Sequence, residues 1–164
     1  MRAVWAVLAL FIIVAVAGCS PRIPSYSGPE VTRILVYKES RRMYLMHDDA
    51  VLKSYDIDLG FAPIGDKTER GDGKTPTGDY IIDRRNPNSQ FFLSLGISYP
   101  NEADIAEAEA AGVDPGGDIF IHGESSIFGR RGTDWTWGCI SVSDKEMAEI
   151  WAMVPTGAAI SIYE

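Results

Sequence analysis

Two side chains that can do covalent chemistry together, those of His122 and Cys139, lie in one short stretch of the sequence. His122 follows the apolar run Ile119–Ile121, which is typical of a buried strand that ends at the histidine. Cys139 lies in D-W-T-W-G-C-I-S, where Gly138 lets the backbone come close to the group that the thiol attacks. An imidazole and a thiol are the minimum for nucleophilic acyl chemistry, because the imidazole takes the proton and the thiolate attacks a carbonyl. The alternative is a structural cysteine packed beside a core histidine.

The N-terminal residues have the composition of an export signal. Val4 to Ala17 is an unbroken apolar run, a length that suits the core of a secretory signal and is short for a membrane span. The run ends in Val16-Ala17-Gly18-Cys19, which resembles the bacterial lipobox, in which Cys19 becomes the lipidated first residue of a mature lipoprotein. Ordinary cleavage nearby, which leaves Cys19 as a plain thiol, is the alternative. Ser20 in place of Asp favours the periplasmic face of the outer membrane.

The number of cysteines makes Cys139 more informative. The sequence holds 2 cysteines, so lipidation of Cys19 leaves Cys139 without a partner in the chain. Exported proteins normally pair their cysteines, and a leftover thiol indicates a reactive group. A disulfide framework and a C-x-x-C redox motif are both excluded. Pairing with an imidazole predicts a lowered pKa for the Cys139 thiol.

Composition and charge limit the class of protein. Hydrophobic content of 46% and charged content of 23% are ordinary for a globular domain. A net charge of -8 makes the chain a poor candidate for binding nucleic acid. The sequence divides into a lipoprotein signal peptide at 1–18, a lipidated cysteine and flexible tether at 19–30, and a catalytic domain at 31–164.

The pattern of apolar residues predicts an α+β fold that is mainly β, with about eight short strands and two helices. The strands whose bounds the pattern indicates are Val31–Lys38, Arg41–His47, Val51–Leu59, Asp79–Asp83, Phe91–Ile97, Ile119–Ile121 and Ala158–Tyr163. Asn101 and Gly112 have the residue types that begin and end a helix, and this alanine-rich helix is expected on the surface. Ser143 and Glu146 form the capping box of a second helix, which should face the core. His47 is expected to cap a surface turn, with no role in the site.

With these residues placed, the sequence resembles the L,D-transpeptidase catalytic domain family, also called YkuD-like. The family pattern is His-Gly, a spacer, then Ser/Thr-His-Gly-Cys, a hydrophobic residue and usually Arg. It is matched by His122-Gly123 and by Thr136-Trp137-Gly138-Cys139-Ile140. The segment G-K-T-P-T-G-D-Y at residues 73–80 resembles the substrate-side turn and strand of the family, and the resemblance covers about Val31 to Tyr163.

The resemblance implies a β-sandwich-like catalytic domain with two helices, peptidoglycan stem peptides as substrates and no cofactor. Cys139 corresponds to the nucleophile and His122 to the base. The carbonyl of Gly123 corresponds to the group that orients the imidazole. The backbone N–H groups of Gly138 and Cys139 would stabilise the oxyanion, and such a donor contributes on the order of 3 kcal/mol in a transition state. An amine resolves the acyl-enzyme in crosslinking members of the family, and water resolves it in hydrolytic members.

The sequence departs from the family pattern at two positions beside the cysteine. Trp137 replaces the histidine and Ser141 replaces the arginine, at positions that shape the acyl pocket and contact the stem peptide in the family. This loss favours hydrolysis slightly over crosslinking. Arg130 or Arg131 is a candidate replacement for the missing cation, and the alternative, which composition favours for each, is an arginine that is only solvated on a loop. Trp135 is expected to point the same way as Trp137, and either one of the two lines the pocket or both pack under the loop.

Two other classes of function stay open. One is a non-catalytic, lipid-anchored module that binds peptidoglycan on the same fold. The other is a metal site, for which His122 and Cys139 supply two ligands and scattered carboxylates would have to supply the rest.

Overall fold

A single β-sheet with two helices beside it forms the part of the chain that the computed structural model describes, which is residues 23–124 and 132–164. In chain order the elements are β1 (Arg33–Tyr37), β2 (Arg42–His47), β3 (Ala50–Asp56), β4 (Gly78–Ser89), β5 (Phe92–Ile97), α1 (Glu102–Ala111), β6 (Phe120–His122), β7 (Ile140–Ser141), α2 (Asp144–Met153) and β8 (Ala159–Tyr163). The mainly β fold with two helices is therefore confirmed within these residues.

The order of strands in the sheet is β3-β2-β1-β8-β4-β5-β6-β7. The last strand in the sequence, β8, lies in the middle of the sheet, parallel to β1 and antiparallel to β4. The strand β6 pairs in parallel with β7, and His122 lies opposite Ser141 in this pair. Because β7 begins directly after Cys139, this pairing brings the histidine and cysteine segments side by side.

The core fills with the apolar residues that alternate along the strands. Ile34 and Val36 on β1, Leu95 on β5 and Ile160 on β8 are fully buried. The helix α2 packs against β5 and β6. Its capping box is present as predicted, because the Ser143 Oγ accepts a hydrogen bond from the Glu146 N–H while the Glu146 carboxylate accepts one from the Ser143 N–H.

The helix α1 lies on the surface, as predicted. The Asn101 side chain accepts hydrogen bonds from the first turn, and Gly112 ends the helix with a φ of 70°. Of its residues, Ala108 is buried. None of the helices in the described ranges is long and apolar enough to cross a membrane.

Two strands differ from the sequence prediction. The strand β4 was expected to end at Asp83 but continues to Ser89, through a polar stretch that includes Pro87. This half of β4 pairs with β5 and consists of polar and charged residues, so it has no apolar alternation to reveal it. The two-residue strand β7 is too short for any periodicity to show. The turn at Asp48 and Asp49 is as expected, with a positive φ of 51° at Asp48.

Candidate active site

The ring of His122 is buried and held in one orientation. Its Nδ1 lies 2.6 Å from the Gly123 carbonyl oxygen. Because a carbonyl only accepts, Nδ1 carries the proton and Nε2 is the free acceptor. This is the contact that the family resemblance implies for Gly123. The residue is 4% exposed, and burial lowers the pKa of His122 below its ordinary value of 6.5, against the opposing hydrogen bond to Gly123. The imidazole is therefore neutral at pH 7.

Two aromatic rings fix the plane of the imidazole. Phe91, at the turn between β4 and β5, stacks on His122 with ring centroids 4.6 Å apart. Trp135 contacts the same imidazole edge-on at 5.6 Å. No local pattern in the sequence indicates this role for Phe91, because the residue reaches His122 only through the pairing of β5 with β6.

The thiol of Cys139 is partly buried next to the backbone of residues 118–120. Its Sγ lies 3.6 Å from the Asp118 carbonyl oxygen, to which it donates. Burial raises the pKa of Cys139 to about 11, and the N–H of Phe120 with the charges of Lys67 and Arg84 opposes this rise. The predicted low pKa is therefore wrong for this resting geometry. The reason is that loss of water outweighs the surrounding charges, and the neutral His122 ring contributes no positive charge.

Thr136 organises residues 132–139, the nucleophile loop, which presents Cys139. Its hydroxyl donates to the Cys139 carbonyl at 2.7 Å and accepts from the Gly138 N–H at 3.2 Å. Its own N–H donates to the Leu59 carbonyl oxygen. The predicted oxyanion donor Gly138 is thus engaged by Thr136 in this structure, and its release would have to accompany oxyanion binding. The Cys139 N–H is the second predicted donor.

Gly138 is required for a reason other than the expected one. Its φ is 121°, a region that disfavours side chains. A Cβ at this position would lie 2.6 Å from the Lys74 carbonyl oxygen. The close neighbour of Gly138 is therefore the long loop between β3 and β4, and the glycine lets the nucleophile loop pack against it.

Two cavities of similar size meet at Cys139. One has a volume of about 270 Å³ and is lined by His122, Phe91, Phe120 and residues of the β4–β5 hairpin. The other has a volume of about 280 Å³ and is lined by Trp137, Lys67 and Arg70. Asp118 and Cys139 line both. Cys139 therefore lies in the wall between the two cavities.

The two tryptophans beside Thr136 contact different partners, against the expectation that they point the same way. Trp135 packs on His122, whereas Trp137 makes an edge-on contact with Phe61 at 5.0 Å. Trp137 is 72% exposed and lines the second cavity. Its placement beside Cys139 is compatible with the predicted contact to substrate.

Ser141 does not line either cavity that contains Cys139. It is 1% exposed, its hydroxyl has no hydrogen-bond partner within the described residues, and it faces a separate cavity of about 770 Å³. The prediction that Ser141 contacts substrate next to the thiol is therefore not supported by its position. In the sheet, Ser141 pairs with His122 on one side and with Asp58 on the other.

A further ion pair, which the sequence did not indicate, holds the start of the nucleophile loop. Arg41 binds the Asp134 carboxylate through Nε and Nη2, with the shortest distance 2.8 Å. Asp134 also accepts a hydrogen bond from the Leu59 N–H. These contacts fix the segment before Thr136 to the β1–β2 turn.

Three predicted residues, Cys19, Arg130 and Arg131, lie outside the described residues. Within the described ranges, no group of three or more His, Cys, Asp or Glu side chains is arranged to hold a metal ion.

Comparison with known proteins places this geometry in a family. The model of the L,D-transpeptidase catalytic domain, YkuD, matches residues 31–162. YafK of Escherichia coli K12, named as a candidate L,D-transpeptidase, is 28% identical over 133 residues, which are 77% of this chain and 48% of YafK. The chain therefore spans about half the length of the curated relatives that it matches.

Solved structures have the same fold. The helical cell shape determining protein Pgp2 of Campylobacter jejuni superposes with a TM-score of 0.64 at 26% identity, over 90% of this chain and 52% of Pgp2. Bd1075 of Bdellovibrio bacteriovorus gives 0.60 at 22% identity, over 86% of this chain and 51% of that chain, which shows the fold alone. From the matched family model, the chain belongs to the L,D-transpeptidase catalytic domain family.

Proposed function

We propose that the chain is a cell-wall enzyme that acts on peptidoglycan stem peptides through a cysteine acyl-enzyme, with Cys139 as nucleophile and His122 as base. The observation that carries the proposal is one cavity lined by both residues, with the imidazole fixed so that Nε2 is its acceptor. Membership of the L,D-transpeptidase family supports an L,D bond as the bond that is formed or hydrolysed.

The resting state is a neutral thiol beside a neutral imidazole, because burial raises one pKa and lowers the other. The Nε2 of His122 accepts the proton of the Cys139 thiol as Sγ attacks the scissile carbonyl. Collapse of the tetrahedral intermediate breaks the C–N bond, and the imidazolium returns the proton to the leaving amine. A thioester remains on Cys139, and the site regains its neutral histidine.

An amine or water then attacks the thioester, with His122 taking the proton of the incoming nucleophile. The sequence argument for water depended on Trp137 and Ser141. Since Ser141 faces a different cavity, only Trp137 still supports it. Trp137 lines the second cavity, but its indole is largely exposed and does not close that cavity. The structure therefore leaves crosslinking and hydrolysis as alternatives, and analysis of the reaction products distinguishes them.

The experiment is mass spectrometry of products from a tetrapeptide stem donor, with and without an acceptor stem. Loss of the terminal residue without an acceptor indicates hydrolysis, and 3→3 crosslinked dimers indicate transfer to an amine. Cys139→Ala should abolish both while the melting temperature stays near that of the wild type. Unchanged turnover by Cys139→Ala would contradict the proposed nucleophile.

A second candidate function is a non-catalytic module that binds peptidoglycan, and the raised pKa of Cys139 is the observation in its favour. Such a module should bind the same stem peptides with no change in their mass. Formation of a covalent acyl adduct on Cys139 would exclude it.

The proposed location is the cell envelope, with the chain exported and anchored through a lipid on Cys19. The support is the apolar run that ends in Val16-Ala17-Gly18-Cys19. Cys19→Ala should remove incorporation of labelled lipid and release the protein from the membrane fraction, because several acyl chains on one residue give stable anchoring. Unchanged labelling of the variant would contradict it.

A further inference from the structure

The face of the sheet that carries His122 also carries an arginine, Arg84 on β4. Residues two apart on a strand share a face, so the pairing of β4, β5 and β6 arranges this face in rows. One row is Asn86, Ser94 and His122, and the next is Arg84, Gly96 and Phe120. Arg84 is thus one row away from the catalytic histidine.

The missing side chain at Gly96 lets Arg84 cross the sheet. A Cβ at Gly96 would overlap the Arg84 side chain at Cγ, so no other residue fits beneath it. The guanidinium then lies over the ring of Phe120, with its central carbon 4.5 Å from the ring centroid. Phe120 lines the cavity that holds His122 and Cys139. The guanidinium therefore borders the site.

Arg84 binds one of its two carboxylate partners, Asp83, more closely than the other, Asp118. Its Nη1 donates to both oxygens of the Asp83 carboxylate at 2.9 and 2.8 Å. Its Nη2 makes one longer contact of 3.3 Å to Asp118, whose side chain is 88% exposed. The main chain of Asp118 accepts the hydrogen bond from the Cys139 thiol. Asp118 therefore contacts the thiol of Cys139 through its main chain and Arg84 through its weakly held carboxylate.

We propose that Arg84 binds the free carboxylate of the residue that is released from the peptide, taking this carboxylate in place of that of Asp118. This inference rests on the proposed function and names the residue that recognises the carboxylate of the residue after the scissile bond. In such a peptide, one residue separates the C-terminal carboxylate from the scissile carbonyl. A planar guanidinium with five N–H donors suits a carboxylate, and Arg84 keeps donors beyond those bound to Asp83.

The test compares a stem tetrapeptide that ends in a free carboxylate with the same peptide ending in an amide. Binding is measured by calorimetry in Cys139→Ala, which cannot turn the peptide over. We expect the free acid to bind roughly 10- to 100-fold more tightly than the amide, the range for a hydrogen bond to a charged group. Arg84→Ala should remove this preference, and Arg84→Lys should leave part of it.

The matched control is Arg42→Ala. Arg42 is also a strand arginine paired with an exposed aspartate, Asp56, and lies 5.9 Å from the Tyr44 ring, but it is on β2 and away from the cavities. It should leave the preference unchanged. The proposal would be overturned if Cys139→Ala and the double variant Cys139→Ala, Arg84→Ala preferred the free acid over the amide equally. Equal binding of the acid and the amide by Cys139→Ala would also overturn it.

Substitution of Asp118 tests whether Arg84 recognises the peptide carboxylate or only makes a structural contact with Asp118. Asp118 has a positive φ of 57°, which asparagine tolerates, so Asp118→Asn should fold. The proposal predicts that it binds the free acid several-fold more tightly, because no carboxylate competes for Nη2. Weaker binding would show that the Arg84–Asp118 pair acts only as a structural contact. Turnover of the peptides by the chain with Cys139 intact tests the proposed function separately, so acid preference without turnover would contradict that function and retain this inference.

Discussion

In the proposed mechanism, the protonation states of His122 and Cys139 determine how the thiol is activated. Both groups are shifted toward their neutral forms by burial, so no thiolate–imidazolium pair is stored in the resting site. The proton must therefore leave the sulfur during attack. Such a site reacts with a positioned carbonyl faster than with a general alkylating reagent, because only the carbonyl substrate is placed for the concerted step.

Alkylation of Cys139 by iodoacetamide should accordingly rise with pH, with a midpoint nearer 11 than the ordinary value of about 8.5. The Cys19→Ala chain is used, so that Cys139 is its remaining cysteine. The control is the same chain in denaturant, where the midpoint should return to about 8.5. A midpoint below 8.5 in the folded chain would restore the thiolate–imidazolium pair that the sequence indicated.

In the proposed mechanism, the acid side of the activity profile depends on His122. The base must be neutral, and burial lowers its pKa, so kcat/KM should stay high until the pH falls below 6.5. The same shift reduces the free energy of unfolding as the pH falls below 6.5, because the unfolded chain then binds a proton more readily than the folded chain. Melting curves at each pH separate the two effects. An activity midpoint above 6.5 would contradict the assignment of the base.

At the scale of elements, the nucleophile loop depends on one hydroxyl. Thr136→Val keeps the shape of the side chain but removes the hydrogen bonds to the Cys139 carbonyl and the Gly138 N–H. We expect it to lower the free energy of unfolding by about 1–3 kcal/mol, because the buried partners lose their bonds. Urea unfolding measures this. Thr133→Val, at an exposed position of the same loop, is the control and should change stability little.

The sequence predicted those parts of the fold and site that local pattern decides. The capping box at Ser143, the end of α1 at Gly112 and the strand before His122 follow from nearby residue types. Contacts between distant segments were not predictable in this way. Phe91 reaches His122 through a hairpin, Arg41 reaches Asp134 across the molecule, and Ser141 lines a cavity other than the two that contain Cys139.

At the scale of the whole molecule, an ion pair between a buried lysine and a half-exposed glutamate attaches the loop beside the second cavity to the centre of the sheet. The Lys38 side chain is fully buried, and its Nζ donates to the Glu164 carboxylate at 2.8 Å and to the Gly65 carbonyl at 2.6 Å. Glu164 in turn accepts a hydrogen bond from the Gly65 N–H. The long loop that carries Lys67 and Arg70 is thereby attached beside β8.

Glu164→Gln should therefore lower the free energy of unfolding by about 1–3 kcal/mol, because it leaves the buried Lys38 charge without a carboxylate partner. Solvent screening limits the loss, since the Glu164 side chain is half exposed. The hydrogen bond to Lys38 lowers the pKa of Glu164, so this stabilisation is present above pH 4.5 and is lost as the pH falls. Thermal unfolding at pH 7 measures the change. Glu39→Gln, at a nearby exposed position, is the control, and equal stability of both variants would contradict the role of the pair.

The meeting of two cavities at Cys139 bears on the order of events in the proposed mechanism. An acyl group on Cys139 that fills one cavity would leave the other to the second nucleophile. The departing amine and its replacement would then share a single passage and compete for the thioester. A high concentration of the released residue should drive the first half-reaction backwards, and net flux through the protein depends on how quickly that residue diffuses away.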